Sequence, residues 1–223
     1  KKKNIQYKKS LEILSKFKVV TANSKILYNL LKTSLNNLRY CPNGVDLSTY
    51  NTKYKKIYDP HKIIIGFVAK NRDVKRIDLF RKIEKKFTGN KKIFFKPLII
   101  DRNYNSKVLN LDQMKIYYQN IDYYLCLSNQ EGTPNPALEA AASGSLLIST
   151  KVGNMPEIIR RDNSFYINQN IVNIVNLIHK ISKIKPNTYM NMRKNLTNEI
   201  KKNWGWNKNS IIFENAIKAL LKQ

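Results

Sequence analysis

The sequence has few of the residues from which metal sites and disulfide frameworks are built. It contains two cysteines, Cys41 and Cys126, far apart along the chain, and two histidines, His61 and His179. A disulfide framework is therefore not indicated, the thiols fit a reducing compartment, and no cluster has metal-ligand spacing. These scarcities exclude a small disulfide-stapled scaffold and give no support to a metal centre.

Long apolar runs are also missing. No stretch approaches the roughly 18 consecutive apolar residues of a membrane-spanning helix. The amino-terminal sequence KKKNIQYKKS is basic, but no apolar segment of the signal-peptide type follows it. We therefore expect a cytoplasmic protein, and a peripheral contact with a membrane is compatible with this composition.

Acidic residues are scarce, with 15 Asp and Glu against 41 Lys and Arg, so the formal net charge is +26 at pH 7. One interpretation is a surface for an anionic partner, such as nucleic acid, an acidic membrane or a phosphorylated substrate. The other is a compositional bias, because Lys, Asn, Ile and Tyr are abundant throughout, as an AT-rich genome would produce. The lysines are scattered along nearly every segment, which favours the second interpretation. Local clusters occur only at 1–3, 8–9, 53–56 and 85–92.

What the sequence does contain is a regular alternation of strand-length apolar runs and segments of helical period. It starts with a strand at 16–21 and a helix at 24–35 capped by Ser24, and a turn-rich linker follows at 40–50. Further strands are predicted at 63–69, 93–100, 123–127, 146–149 and 165–167. Further helices are predicted at 75–87, 111–119, 135–143, 156–160, 171–181, 190–202 and 208–221.

This pattern predicts the α/β class. Near-continuous apolar strands separated by helices indicate a parallel sheet covered on both faces, and right-handed crossovers make it a Rossmann-like, doubly wound domain. With 223 residues, of which 42% are hydrophobic, the chain can form one large or two small domains with an ordinary core. Ligands of such sheets bind at the carboxyl ends of the strands, so functional residues should lie directly after a strand or at the next helix start.

The segment after the strand at 123–127 has the features of a ligand-binding turn. Asn135 and Pro136 predict the N-cap and first residue of a helix whose free N–H groups would favour a diphosphate. Glu131 lies on the loop and Glu139 about one turn into the helix, so the two carboxylates can accept hydrogen bonds from hydroxyls of an extended ligand. The structural alternative is that Glu139 complements the helix dipole and Glu131 is a surface residue.

Two lysines follow the first strand of the regular pattern. Lys70 leaves the end of this strand and Lys75 opens the next helix, so both ammonium groups can point at a phosphate on the same edge. In so basic a chain the residue type means little, and the position carries the prediction. The turns with Gly153, Glu157 and 43–46 are, each alone, explained by ordinary turn chemistry.

Together these segments resemble the donor-binding, C-terminal lobe of glycosyltransferase family 4 (group 1), which has the two-lobed GT-B fold. The match spans most of the chain in the same order. NGVD at 43–46 resembles the hinge between the lobes, and Lys70 and Lys75 stand where the family has the pair that grips the donor diphosphate. The most specific part is EGTPNPALEAAASGSLLISTKVGNMPEII, in which Glu131 and Glu139 match the Glu-x7-Glu signature.

The resemblance implies a retaining glycosyltransferase that uses a UDP- or GDP-linked sugar as substrate, a glycan or lipid-linked acceptor, and no cofactor. Lys70, Lys75 and Glu131 would be the catalytic residues. Glu131 would contact hydroxyls of the transferred sugar and Glu139 the ribose. The lysines and the helix end would replace a divalent cation at the departing diphosphate, so no metal is expected. The implied donor-binding residues are Lys70, Lys75, Glu131, Gly132, Thr133, Asn135 and Glu139.

The sequence also departs from the family pattern. Lys70 replaces the usual Arg and Ala69 the preceding Gly, which removes a bidentate phosphate contact, and Asn154 stands where a second Gly is common. The acceptor lobe is nearly missing, because residues 1–40 resemble only its last strand and helix, and the family's acceptor-side catalytic histidine is not in the sequence. We therefore expect the rest of this lobe on a longer protein or on another chain, and little sugar transfer by this chain alone.

The expected division of the chain follows from the same comparison. Residues 1–58 would be the end of the acceptor lobe and the linker, 59–203 the nucleotide-sugar-binding domain, and 204–223 a helix that crosses back to the missing lobe.

Other functions explain parts of the sequence. A nucleic-acid-binding module would use the charge, but the one aromatic cluster, formed by Tyr117, Tyr118, Tyr123 and Tyr124, is better explained by packing than by base stacking. Another GT-B enzyme, such as a sugar-nucleotide epimerase or a phosphorylase, would need acid–base groups or a pyridoxal phosphate lysine that the sequence does not obviously supply.

Overall fold

The computed structural model describes residues 2–101 and 108–221, which form two parallel sheets of unequal size. The smaller sheet belongs to the amino-terminal part, where α1 (Lys2–Ser15), β1 (Val20–Ala22), α2 (Lys25–Leu31) and β2 (Leu38–Tyr40) follow one another. The strands β1 and β2 pair in parallel. This unit has its own small apolar cluster, formed by Val20, Ala22, Leu31, Leu35 and Leu38.

The larger sheet has five strands, and every pairing in it is parallel. Its spatial order, β4-β3-β5-β6-β7, is that of a doubly wound sheet. Both β5 and β6 are buried over their whole length, as expected for strands covered by helices on both faces. The predicted Rossmann-like α/β fold is therefore confirmed. The strands are β3 (Ile63–Lys70), β4 (Ile93–Ile100), β5 (Tyr123–Cys126), β6 (Leu146–Ser149) and β7 (Phe165–Tyr166).

Amphipathic helices cover this sheet. They are α3 (Ile77–Lys86), α4 (Leu111–Gln119), α5 (Asn135–Ala142), α6 (Met155–Ile158), α7 (Ile171–Ile181) and α8 (Pro186–Asn203). The last helix, α9 (Trp206–Leu221), lies instead against the segment after β2, where Asn209 donates to the Asn43 carbonyl. In α7 the buried residues Ile174, Ile178 and Ile181 recur at helical spacing, so one face of the helix packs on the core. Across residues 2–101 and 108–221, no helix is both long enough and apolar enough to cross a bilayer.

The strand order reverses between β3 and β5. From β3 the chain moves outward to β4, then returns to the other side of β3 and continues through β5, β6 and β7. Such a reversal opens a crevice at the carboxyl ends of the two strands, where doubly wound sheets bind their ligands. These ends are Lys70 and Cys126. The loops that follow them, 71–76 and 127–134, therefore frame the candidate site.

The tyrosines of the aromatic cluster belong to the core. Tyr117, Tyr118, Tyr123 and Tyr124 are each at most 4% exposed. Two of their hydroxyls donate hydrogen bonds to backbone carbonyls of β4 and β3. Because the rings are covered, they cannot serve as stacking platforms for bases, and packing explains them as predicted.

Some element boundaries differ from the prediction. The strand predicted at 16–21 begins only at Val20, because Lys16 and Phe17 close the end of α1 by donating to the carbonyls of Ile13 and Leu14. The predicted Ser24 cap is confirmed, since its Oγ accepts from the Leu27 N–H. The pattern did not indicate α1 or β2, because α1 has a weak apolar period and β2 is only three residues long.

Other helix ends also shift. The helix predicted at 24–35 ends at Leu31, where Ser34 and Leu35 both donate to the Leu31 carbonyl and close the turn. The helices predicted from 190 and 208 begin earlier, at Pro186 and Trp206. A proline at the first helical position needs no N–H partner, which explains the early start of α8.

Candidate functional site

A cleft of about 700 Å³ lies at the carboxyl ends of β3 and β5. One wall is formed by the loops after these strands, and the other by α2 of the small amino-terminal unit. On α2, Ile26 and Leu30 are 47% and 57% exposed, and they give this wall an apolar face. The lining residues that bear on binding chemistry are Lys70, Arg72, Lys75, Glu131, Gly132, Thr133 and Asn135.

The loop after β3 does not have the geometry that the sequence predicts. Lys75 is not the first residue of a helix, because it ends a 3₁₀ turn (Asp73–Lys75), and α3 begins only at Ile77. Between them Arg76 has a left-handed backbone (φ 55°), which stops the turn from running on into α3. The Arg76 guanidinium donates to Asp78 at 3.0 Å and to Gln169 at 2.9 Å, and these contacts hold the turn in place.

Lys75 and Glu131 form an ion pair between the two loops that make up one wall of the cleft. The Lys75 Nζ lies 2.5 Å from Glu131 Oε1, and the two side chains are 21% and 14% exposed. Ser128 donates its hydroxyl to the same carboxylate oxygen at 2.7 Å. The two loops are also joined through their backbones, because the Asn129 N–H donates to the Val74 carbonyl at 2.9 Å. The structure thus brings together two residues that are 56 positions apart.

The glycines of the site are required by close backbone approaches. A Cβ at Gly132 would lie 2.6 Å from Asn23 Oδ1, so the loop rests directly on the turn after β1. Gly153 has φ +52°, and a Cβ there would collide with the carbonyl of Gly132. Thr133 donates its hydroxyl to the Asn23 carbonyl at 3.3 Å. The segment 131–133 is therefore held between the amino-terminal unit and the β6–α6 turn.

The prediction that Asn135 is the N-cap of α5 is wrong. The cap is Pro134, because its carbonyl accepts the first helical hydrogen bonds, from Ala137 and Leu138. The Asn135 N–H donates to the Thr133 carbonyl at 2.9 Å, so this amide is already engaged. In the part of the chain that the structure describes, the Gly132 and Thr133 amides have no acceptor and remain available to a ligand on this loop.

Glu139 is set apart from the other predicted residues. Six of the seven donor-binding residues line the cleft, whereas Glu139 is half-buried in α5 and accepts a hydrogen bond from the Tyr118 hydroxyl at 2.8 Å. Burial raises the pKa of Glu139 above its ordinary value, and the hydrogen bond from Tyr118 opposes this shift. The same pair raises the pKa of Tyr118, mainly through burial and then through the charge of Glu139.

Sequence reasoning gave Glu157 too small a role. Its carboxylate accepts the Lys25 N–H at 2.8 Å and the Tyr40 hydroxyl at 2.5 Å, so it caps the amino end of α2 and contacts β2. Burial and the neighbouring Glu157 raise the pKa of Tyr40. Arg72 is a further lining residue that the sequence does not single out, because its position two residues after a strand end is not distinctive in so basic a chain.

The NGVD turn at 43–46 pairs with the short segment that joins α8 to α9. The Val45 N–H donates to the Trp204 carbonyl at 2.8 Å, and the Trp206 N–H donates back to the Val45 carbonyl at 3.2 Å. A Cβ at Gly44 would lie 2.7 Å from the Trp206 backbone. Asn43 donates its side-chain amide to Asn135 Oδ1 at 3.2 Å, which connects this turn to the cleft.

Ligands for a metal ion do not converge anywhere in residues 2–101 and 108–221, where no three His, Cys, Asp or Glu side chains could hold one. The thiols of Cys41 and Cys126 are both free and buried. The basic side chains that line the cleft are those of Lys70, Arg72 and Lys75.

Comparison with known families settles the membership of the chain. Residues 52–203 match the family model of the glycosyl transferases group 1. The chain belongs to this family. The matched region contains β3 to β7 and both loops of the cleft, so the predicted resemblance to group 1 is confirmed at the level of the family. Among curated protein sequences, none matches the chain closely enough to count as a relative.

Solved structures show the same fold for this group 1 member. A sucrose-phosphate synthase from Thermosynechococcus elongatus has a TM-score of 0.76 at 15% identity, and the match covers 96% of this chain and 61% of that one. Anabaena HepE, in complex with UDP and glucose, gives a TM-score of 0.70 at 12% identity, with 97% and 66% covered. The C-terminal domain of a group 1 glycosyl transferase (LpcC) from Francisella tularensis gives 0.56 at 19%, with 73% and 99% covered. The chain spans less than two thirds of the length of the first two.

Proposed function

We propose that the chain is the donor-binding part of a retaining glycosyltransferase. It would bind a nucleoside diphosphate sugar and present the sugar to a glycan or lipid-linked acceptor. The observation that carries this proposal is the convergence of Lys70, Lys75 and Glu131 on one cleft at the strand reversal of a group 1 fold. This edge is the ligand site of doubly wound sheets.

The charge of the cleft suits a diphosphate. Its lining has three cations, Lys70, Arg72 and Lys75, and one carboxylate, Glu131, which leaves a formal charge of +3 − 1 = +2. As the bond to the sugar breaks, negative charge grows on the departing diphosphate, and fixed cations stabilise it without a divalent metal. Retention of the anomeric configuration is taken from the resemblance to the family, and no protein nucleophile is assigned.

The two glutamates would contact different parts of the donor. Glu131, which lines the cleft, is suited to accept hydrogen bonds from hydroxyls of the transferred sugar. Glu139 lies about one turn into α5, so the nucleoside would extend along the helix until its ribose reaches that carboxylate. The complexes of HepE with UDP and glucose and with UDP-glucose support a uridine donor, and GDP is the alternative.

Nucleotide binding is the test of this proposal. Thermal shift and calorimetry with UDP, GDP and ADP should give micromolar to millimolar affinity for at least one of them, because a ligand of the native state raises Tm. Lys75→Ala and Glu139→Ala should each weaken this binding clearly without abolishing it, because the other lining residues stay in place. Lys180→Ala, at an exposed position on α7 outside the cleft, is the matched control and should bind as the wild type does. Failure of all three nucleotides to bind would rule the proposal out.

Acceptor binding requires more of the second lobe than this chain supplies. A GT-B site lies between two lobes, and within residues 2–101 and 108–221 the amino-terminal unit lines the cleft only with Ser24 and α2. We expect the isolated chain to bind donor and to transfer little sugar, and activity to return when the remaining lobe is provided in the same or another polypeptide. Product analysis with a labelled donor measures both.

A peripheral contact with an anionic membrane belongs to the same proposal. The net charge of +26 would attract the protein to an acidic membrane surface, and a lipid-linked acceptor would lie in such a membrane. Sedimentation with vesicles of neutral or acidic lipid tests this: binding to acidic vesicles that weakens with salt is expected, and equal binding to both compositions contradicts it.

A further inference from the structure

The three cations of the cleft are not in equivalent states. Lys70 and Arg72 are exposed, and within residues 2–101 and 108–221 neither forms an ion pair. Lys75, by contrast, is paired with Glu131 at 2.5 Å and largely covered. An anion that enters the cleft therefore meets two free cations and one whose charge is already neutralised at short range.

Neighbouring hydrogen bonds hold the Lys75–Glu131 ion pair in place. The hydroxyl of Ser128 donates to the same oxygen, Glu131 Oε1, that Lys75 contacts, so the carboxylate is fixed from two sides. The backbone bond from Asn129 to Val74 keeps the two loops together. A diphosphate that approaches the Lys75 ammonium competes with the Glu131 carboxylate for it, because both are anions and the pair is largely covered from water.

We propose that Glu131 is the ion-pair partner of Lys75 in the absence of ligand, and that an entering diphosphate displaces the Glu131 carboxylate from the Lys75 ammonium. This exchange frees the carboxylate to bind the sugar. The inference rests on the proposed function, and it adds an order to the binding events. Lys70 and Arg72 make the first contact with the anion, and Lys75 joins only after it leaves Glu131. Glu131 thus positions Lys75 as well as contacting the donor.

The exchange predicts a change in UDP affinity that would not be expected if Glu131 only contacted the donor sugar. Opening the pair weakens diphosphate binding, so Glu131→Gln should bind UDP more tightly than the wild type, although it removes a proposed site residue. The expected gain is roughly fivefold, the size of a partly exposed ion pair. Uridine, which carries no phosphate, should bind equally to both proteins.

A double-mutant cycle separates the exchange from a general loss of negative charge. UDP, GDP, ADP and uridine are titrated by calorimetry into the wild type, Glu131→Gln, Lys75→Met and the double variant. If Lys75 is the partner that is released, the gain from Glu131→Gln appears with Lys75 present and disappears in the Lys75→Met background. Thermal unfolding checks that each variant is folded. If Glu131→Gln melts too low, Glu131→Asp replaces it, since it shortens the reach to Lys75.

Each result has a definite meaning. Tighter UDP binding by Glu131→Gln only when Lys75 is present supports the exchange. An equal gain in both backgrounds, no gain, or weaker binding overturns it, while nucleotide binding by the wild type leaves the proposed function standing. No binding of UDP, GDP or ADP by any of the four proteins overturns both.

Discussion

The carboxylate of Glu157 accepts the backbone N–H of Lys25, 132 positions earlier in the chain, at 2.8 Å. Its second oxygen accepts the Tyr40 hydroxyl at 2.5 Å. One side chain of α6 thus fixes both the start of α2 and the end of β2. Because α2 is the apolar wall of the cleft, the position of this wall depends on Glu157.

Glu157→Ala should lower the free energy of unfolding by about 1–2 kcal/mol. It removes the cap of α2 and leaves the Tyr40 hydroxyl without its hydrogen-bond acceptor. It should also weaken nucleoside diphosphate binding, because α2 is no longer held against the cleft. Glu214→Ala is the control: Glu214 forms an exposed ion pair with Lys218 on α9, and such pairs contribute little. Denaturant unfolding and calorimetry measure the two effects, and equal losses in both variants would contradict the role of Glu157.

Gly153→Ala should damage both stability and binding. Its φ of +52° is strained for alanine, and the new Cβ would collide with the Gly132 carbonyl on the loop that carries Glu131. Gly89→Ala separates these effects, because Gly89 has φ +78° but no atom within 4 Å of its Cβ position. We expect about 1 kcal/mol of destabilisation from strain in Gly89→Ala, about 2–3 kcal/mol in Gly153→Ala, and loss of nucleotide binding only in the latter. Retained binding by Gly153→Ala would show that the loop position is not critical.

The sheet could be predicted from the sequence because its strands are buried on both faces. In Tyr123–Cys126 and Leu146–Ser149 every residue is buried, so an unbroken apolar run leaves little choice of structure. The position of the site followed from this sheet and from the rule that ligands bind at the carboxyl ends of its strands, which led to Lys70 and Glu131. Local apolar patterns were thus sufficient to predict the strands of the sheet.

The local geometry of the site could not be predicted in the same way. The left-handed backbone of Arg76, which separates Lys75 from α3, is held by Asp78 and by the distant Gln169. No propensity indicates such a conformation for arginine. The cap at Pro134 instead of Asn135 and the bond from Glu157 to α2 depend likewise on partners that are remote in sequence.

Glu139→Gln should change how stability depends on pH. Burial raises the pKa of Glu139 above its ordinary value of 4.5, so the folded state binds this proton more tightly than the unfolded state does. Its contribution to stability is therefore complete below the unfolded-state pKa and is lost as the pH rises through the folded-state pKa. Glutamine does not titrate, so the stability of Glu139→Gln relative to wild type should increase from about pH 4 towards neutrality and then level off. Denaturant unfolding across this range measures it, with the exposed Glu214→Gln as control, and parallel profiles would contradict it.

Lys70→Arg should increase the affinity for a nucleoside diphosphate. Lys70 lines the cleft at the end of β3, is exposed and offers a point charge, whereas a guanidinium at this position can bind two phosphate oxygens in a bidentate manner. We expect roughly threefold tighter UDP binding, because one additional charge-assisted hydrogen bond is partly offset by the entropy lost on ordering the longer side chain.

Lys75→Arg is the informative comparison, because Lys75 already contacts Glu131 at 2.5 Å and the bulkier guanidinium has to displace that pair. It should therefore give no gain. Calorimetry on both variants measures the effect. Lys180→Arg, on α7 outside the cleft, is the control for replacing lysine by arginine without a phosphate contact. An equal gain in all three would exclude Lys70 as a phosphate ligand.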